Sequence, residues 1–129
     1  MSKLASIDIG LKRIGVAICM HDTIVTPQNA ILRKNRNQAS ADVDRFLQEW
    51  SIDKLIVGFP SSSEDMQKRI QHFITLLEFK GEIILQEENM SSIEAEELIK
   101  GEIKYKRDGR VDSLAAKIIL ERYLREHKR

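Results

Sequence analysis

The sequence predicts a layered α/β domain in which an antiparallel, hairpin-built part is joined to parallel strands through crossover helices. Three observations predict it. The first twenty residues alternate with a period of two, the apolar spacing switches to a helical period from Ser40, and Lys54 to Phe59 forms an apolar run ending at Gly58-Phe59-Pro60. Strand–helix–strand order of this kind packs helices on a sheet, because a parallel connection needs a crossover.

The opening strand has Ala5, Ile7 and Ile9 on one face and Ser6, Asp8 and Gly10 on the other. Gly10-Leu11-Lys12-Arg13 reads as a turn. Ile14, Val16, Ile18 and Met20 then alternate with the small residues Gly15, Ala17 and Cys19, giving the second strand of a hairpin. A weaker third strand is expected from Asp22 to Thr26, stopped by Pro27 and followed by a basic loop, Arg33-Lys34-Asn35-Arg36. Val43, Phe46, Leu47 and Trp50 are spaced as one face of a helix beginning near Ser40. The run from Lys54 to Phe59 reads as a parallel strand buried on both faces.

Ser61-Ser62-Ser63 with Glu64-Asp65 is a helix start, acids in the first turn complementing the dipole. Met66, Ile70, Phe73, Ile74 and Leu77 supply that helix's apolar face, and Gly81 is expected to end it. Glu82 to Leu85 is a further strand, running into Gln86-Glu87-Glu88. Ser91 and Glu94 have capping-box spacing for another helix, Asp108-Gly109 marks a turn, and a final helix is expected from Arg110 to His127 with Leu114, Ile118 and Tyr123 facing inward. The expected sheet has five strands, three antiparallel and then two parallel.

Length and composition narrow the function. With 129 residues and 42% apolar content, a single domain over residues 1–129 can bury a real core. No run approaches the roughly 18 apolar residues of a membrane helix, and Met1 to Ser6 lacks the longer apolar run of a secretory signal. Cys19 is the only cysteine, which suits a reducing cytoplasm, and with three scattered histidines (His21, His72, His127) it cannot build an ordinary zinc site. Any metal is therefore expected to be hard and oxygen-ligated. The net charge of +1 says little, but Lys12-Arg13, Arg33 to Arg36 and Lys104-Tyr105-Lys106-Arg107 with Arg110 are local basic clusters. Each is a solvated face or a phosphate-contacting rim, depending on its distance from a site.

Three acidic positions stand out. Asp8 ends an apolar strand, Glu87-Glu88 ends a parallel one, and Asp112 opens the last helix. Alone, each has an ordinary explanation: a strand-end acid, an acid before a helix N-terminus, a helix cap. Together, strand ends and helix starts converge on one edge of such a sheet, where sites form. Three carboxylates there would repel by about 4 kcal/mol per close pair at an effective dielectric of about 20. Divalent cations offset that cost, and Mg²⁺ between carboxylates and phosphate oxygens is suited to phosphodiester cleavage.

The stretch Ser6-Ile7-Asp8-Ile9-Gly10-Leu11-Lys12-Arg13-Ile14-Gly15-Val16-Ala17 closely resembles the opening motif of the YqgF-type family of pre-16S ribosomal RNA nucleases, also described as Holliday-junction-resolvase-like proteins. The resemblance continues through Ile56-Val57-Gly58-Phe59-Pro60 and Glu87-Glu88-Asn89-Met90-Ser91-Ser92, and closes at Val111-Asp112-Ser113-Leu114-Ala115-Ala116. It spans almost the whole chain.

It implies a ribonuclease-H-like α/β fold and a metal-dependent nuclease, with Asp8, Glu88 and Asp112 ligating Mg²⁺ or Mn²⁺. By motif Glu88 takes the family's Glu and Glu87 its Asp, so Glu87 is the alternative ligand; a one-residue shift near a strand end would exchange their faces. Asn89 stands where the family usually has Arg. Lys12 and Arg13, close in sequence to Asp8, could compensate. Lys104, Lys106, Arg107 and Arg110, just before Asp112, are expected to contact phosphate.

The substrate implied is structured precursor ribosomal RNA or a branched DNA, cut by a cytoplasmic monomer or homodimer with no membrane partner. Two rivals differ in class. A factor that binds nucleic acid without cutting it is favoured by Asn89, and a Mg²⁺- or Mn²⁺-dependent cleavage assay separates it. An actin-like or sugar-kinase ATPase shares the Asp-x-Gly strand end but needs two domains closing on a nucleotide.

Overall fold

The computed structural model describes residues 3–21, 24–88 and 113–127. They form β1 (Leu4–Ile9), β2 (Arg13–His21), β3 (Ile24–Leu32), α1 (Arg36–Glu49), β4 (Lys54–Pro60), α2 (Glu64–Leu76), β5 (Glu82–Glu88) and α3 (Leu114–Glu126). The five strands make one sheet in the order β3-β2-β1-β4-β5. β1 pairs antiparallel with β2 and parallel with β4, so it is the strand at which the antiparallel half meets the parallel half.

Side-chain alternation sorts residues between two helical layers. Ala5, Ile7 and Ile9 of β1, Ile14, Val16 and Ile18 of β2 and Leu55 and Val57 of β4 join Val43, Leu47, Ile70 and Phe73 of α1 and α2 in one core. Leu4, Cys19 and Ile56 point to the other face and meet Ile119, Leu120 and Tyr123 of α3. The small residues of β2 now have a reason. Gly15, Ala17 and Cys19 are paired with Asp8, Ser6 and Leu4 across β1, on the face that α3 covers. Small side chains there let a helix come close to the strands, while the large ones fill the wider α1/α2 layer.

The third strand runs well past its expected end. β3 continues through Pro27, which pairs with Ala17, as far as Leu32. It is an edge strand, where a proline's missing N–H need not break a ladder, so Pro27 does not stop it. Asp22 lies outside the described residues.

α1 also starts earlier than its apolar spacing suggests. Asn35 caps it in a reciprocal box, its side chain accepting from the Gln38 amide while the Gln38 side chain accepts from the Asn35 amide. The helix therefore opens on a polar turn at Arg36, before its buried stripe begins. α2 matches its serine-capped start, since the Ser63 hydroxyl accepts from the Met66 amide. It ends at Leu76, well before Gly81. A Cβ on Gly81 would strike the Asp53 carbonyl and the Phe79 ring, so this glycine serves a close chain crossing and not a helix stop.

β5 reaches Glu88, as its run into Gln86-Glu87-Glu88 suggested. α3 begins at Leu114 and buries Leu114, Ala116, Ile119, Leu120 and Tyr123, leaving Ile118 only half-buried. The inward stripe thus falls one residue beyond Ile118. The helix expected from Ser91, and the turn at Asp108-Gly109, lie outside the described residues.

α1 closes with a left-handed residue. The Ser51 amide donates to the Gln48 carbonyl at 3.1 Å and the Ile52 amide to the Leu47 carbonyl at 3.0 Å, the paired bonds of a glycine-type helix stop. Yet the residue at φ 52° is Ser51, whose Cβ is strained there. Ser51→Gly should therefore raise stability by about 1 kcal/mol, read as a higher urea midpoint with unchanged m-value.

Candidate functional site

The carboxyl ends of β1, β4 and β5 share one edge of the sheet, with the amino end of α3 beside them. Asp8 is the penultimate residue of β1. Its parallel pairing with β4 ends one residue earlier, at Ile7 with Val57, while on the other side it pairs with Gly15. By alternation Asp8 belongs to the face of Leu4 and Ser6, the face under α3.

Two buried hydroxyls fasten α3 to that face. Ser6 Oγ donates to the Ala116 carbonyl at 2.6 Å. The Val16 amide donates to Ser113 Oγ at 3.0 Å, where the pairing of β2 with β3 shifts register between Ile14 and Val16. Ser113 occupies the N-cap position of α3, yet its side chain makes no capping bond. Its hydroxyl oxygen is given to the sheet instead. Ser113 is fully buried, and Val16 is the chain neighbour of Gly15, the partner of Asp8. The last helix is thus started within a short distance of Asp8.

The Asp8 carboxyl is half-buried, and among the described residues nothing donates a hydrogen bond to it or pairs with its charge. Burial alone pushes its pKa above the ordinary value of 3.8. A carboxylate that is desolvated without a partner is costly, and an oxygen-seeking divalent cation removes that cost. The donor thus suits a hard metal.

The other acids are placed unequally. Glu87 pairs with Phe59, which packs against the α1/α2 core, so it has the opposite parity to Asp8; its side chain is exposed. Position 88 pairs with Pro60 and shares parity with Gln86, which is buried on the α3 side and donates to Glu126 at 3.1 Å. The side chain of Glu88, together with Asn89 and Asp112, lies outside the described residues, as do Lys104, Lys106, Arg107 and Arg110. Among the described residues no three acidic, cysteine or histidine side chains gather at one point.

Lys12 and Arg13 are exposed in and just after the turn that follows β1. The turn is closed by the Gly10 amide donating to the Arg13 carbonyl at 3.0 Å. A Cβ on Gly10 would come within 2.7 Å of that carbonyl oxygen, which explains the glycine.

Sequence reasoning missed Arg33. Its Nη1 donates to the Gly10 carbonyl at 2.9 Å, and its amide donates to the Lys12 carbonyl at 2.9 Å. The signal was present in the basic run, but nothing in one dimension shows that the end of β3 returns beside the end of β1. A recess of about 430 Å³ lies elsewhere, between α1 and α2, lined by Asn35, Arg36, Asn37, His72 and Leu76. Asp8 opens onto the sheet edge instead, as suits a polymeric substrate.

Two measurements test this geometry. Because burial raises the native pKa of Asp8, the folded chain binds more protons than the unfolded one between 3.8 and that raised value. Stability contributed by this group therefore falls as pH rises through the window. In metal-free buffer Asp8→Asn should melt higher than wild type at pH 7, by on the order of a few °C, and the gap should close once the pH drops below both values. Ser113→Ala should lose about 1–3 kcal/mol, because it strands a buried backbone amide; equilibrium denaturation reads it.

A chain from Sulfurovum sp. (strain NBC37-1), named as a pre-16S rRNA nuclease, is 61% identical over 125 residues, covering 95% of this chain and 98% of the relative. One from Helicobacter pylori (strain Shi470), of the same name, is 50% identical over 126 residues, covering 92% of each. Among solved structures, the fowlpox virus Holliday junction resolvase superposes with a TM-score of 0.61 at 20% identity, over 96% of this chain and 98% of that one. Thermus thermophilus RuvC, in complex with a Holliday junction substrate, does so with a TM-score of 0.60 at 10% identity, over 99% and 98%. These likenesses carry the ribonuclease-H-like fold. The model of the RuvX family, described as Holliday junction resolvase, matches residues 2–126, and the chain belongs to that family.

Proposed function

We propose that this chain hydrolyses phosphodiester bonds of precursor 16S ribosomal RNA, using Asp8, Glu88 and Asp112 to hold Mg²⁺ or Mn²⁺. The observation that carries the reading is Asp8 itself, a half-buried carboxyl without a described partner at the carboxyl edge of the sheet. Asp112 is favoured because the next residue, Ser113, is bonded to Val16 beside the Asp8 strand pair. Glu88 is favoured over Glu87 by parity with Gln86. The relatives named as pre-16S rRNA nucleases, at 61% and 54% identity, support the substrate.

In this reading the carboxylates hold and orient, and Lys12 and Arg13 draw the phosphate backbone toward Asp8. Lys104, Lys106, Arg107 and Arg110, just before Asp112 in the chain, have the charge to engage flanking phosphates. A divalent cation bound among the acids supplies the charge that favours attack by water on phosphorus. Processing of ribosomal RNA places the work in the cytoplasm, and no helix among the described residues is long and apolar enough to cross a membrane. Residues 1–129 act as one nuclease domain.

A second substrate, a four-way DNA junction, is favoured by the description of the family model. Symmetric cuts in two strands would then call for a homodimer.

The decisive experiment incubates the purified chain with end-labelled RNA spanning the 16S precursor end, or with a DNA junction, in Mg²⁺, Mn²⁺ or EDTA. Cleavage of the RNA should require the cation and fall by about 100-fold or more in Asp8→Asn and in Asp112→Asn, the size expected for losing one group that stabilises the transition state. Without substrate, Mg²⁺ at about 100 times its Kd should stabilise wild type by about 2.7 kcal/mol and leave Asp8→Asn unmoved. Equal cleavage by wild type and variants would discard these residues, and junction cutting without RNA cutting would discard the substrate.

A further inference from the structure

Beside the Gly10 turn lies a group of cations that the proposed chemistry does not use. Arg33 leaves β3 and reaches back to the Gly10 carbonyl. Its guanidinium also lies over the Phe73 ring, 5.7 Å from the centroid. Arg69 precedes Phe73 by one helical turn on α2, and Arg36 opens α1 three residues after Arg33. Arg33 thus lies between β3 and α1 and against the ring of α2's Phe73, where the charges of Arg36 and Arg69 are felt.

Nothing described neutralises them. The two ion pairs among the described residues are Arg45 with Asp42 and Lys54 with Glu82, and neither involves this cluster. Asp65 stands four residues before Arg69 without forming an ion pair with it. Burial, and then repulsion from Arg36 and Arg69, lower the pKa of Arg33. Packing and hydrogen bonding thus hold Arg33 where two further positive charges are felt, an arrangement that an anion would favour. Arg33 is fixed on both sides, by a carbonyl and by a ring, which leaves its remaining N–H groups oriented in advance. The rim is also continuous with the site: Arg13 pairs with Leu32, and the Lys12 carbonyl accepts from the Arg33 amide.

We infer that Arg33, Arg36 and Arg69 form a second phosphate-binding station, engaging the backbone of the substrate strand away from the bond cut at Asp8. This rests on the nuclease reading above. The path from Lys12 and Arg13 through Arg33 to Arg36 and Arg69 wraps the sheet edge, from the α3 face to the α1/α2 face. A strand following it would leave base identity unread, as backbone contacts do.

The test measures affinity for a labelled RNA hairpin with a single-stranded extension, across a range of salt. It uses the full chain carrying Asp8→Asn, so that binding is read without cleavage. Adding Arg36→Gln and Arg69→Gln, both at exposed positions, should weaken binding about tenfold near 0.15 M salt. It should also flatten the dependence of log K on log salt by roughly 1.4–1.8, the value of two lost phosphate contacts. Arg69→Lys should keep most of the slope. Thermal melting of each variant separates a folding defect, which would not change the slope. An unchanged affinity and slope in the double substitution would overturn the inference, while cleavage by wild type would leave the nuclease reading standing. If the Asp8→Asn chain binds no RNA and wild type cuts none, the nuclease reading falls with it.

Discussion

The hydroxyl oxygen of Ser113 ties the last helix to the sheet, and the geometry of the sheet edge around Asp8 depends on that tie. At the register shift between β2 and β3 the Val16 amide turns to this oxygen, 3.0 Å away. A buried amide without a partner is costly, so the bond fixes where α3 begins and in which direction it leaves. Ser6 repeats the device one turn later by donating to the Ala116 carbonyl. Between them, the two serines hold the helix against a face lined by Gly15 and Ala17, where no large side chain stands in the way. A serine at an N-cap ordinarily serves its own helix; here the sheet needs its oxygen more.

The same constraint sets the electrostatics. Closing α3 over the β1 face takes Asp8 partly out of water, and the fold brings up no described cation to compensate. Beyond the Gly10 turn the opposite imbalance occurs: Arg33 lies where the charges of Arg36 and Arg69 are felt, and no acid among the described residues forms an ion pair with any of the three. Unpaired charge of both signs along one rim is difficult to explain as stabilisation of the fold. In the proposed reading such a surface is completed by a polyanion and a divalent cation. The Gly10 turn lies between the two, its amide closing on Arg13 and its carbonyl accepting from Arg33.

Much of this was legible in one dimension. Alternation in Ala5 to Met20 gave both strands of the hairpin, their faces and the Gly10 turn, because the side-chain period of a strand is a local property. The continuous run Leu55-Ile56-Val57 announced a strand covered on both sides, and Ser63 announced α2. The signals that misled were also local. Pro27 stops a central strand but not an edge strand, and Gly81 resembles a helix stop when its use is to pass beneath Asp53. Asn35 and Gln38 form a capping box that the basic run around them concealed.

By itself the sequence determined the elements and the family, since both reside in spacing and in motifs that survive being read as a string. It also singled out Asp8, because an acid in an otherwise apolar strand stands out against its neighbours. Tertiary structure alone decided which partners those residues meet. That Ser113 serves β2 and not α3, that Arg33 closes on Gly10 and Phe73, and that the register of β5 gives position 88 rather than 87 the parity of Asp8 all follow from packing between segments distant in the chain. Such contacts are selected by burial and by the need to satisfy every enclosed polar group, and neither can be evaluated until the layers have closed.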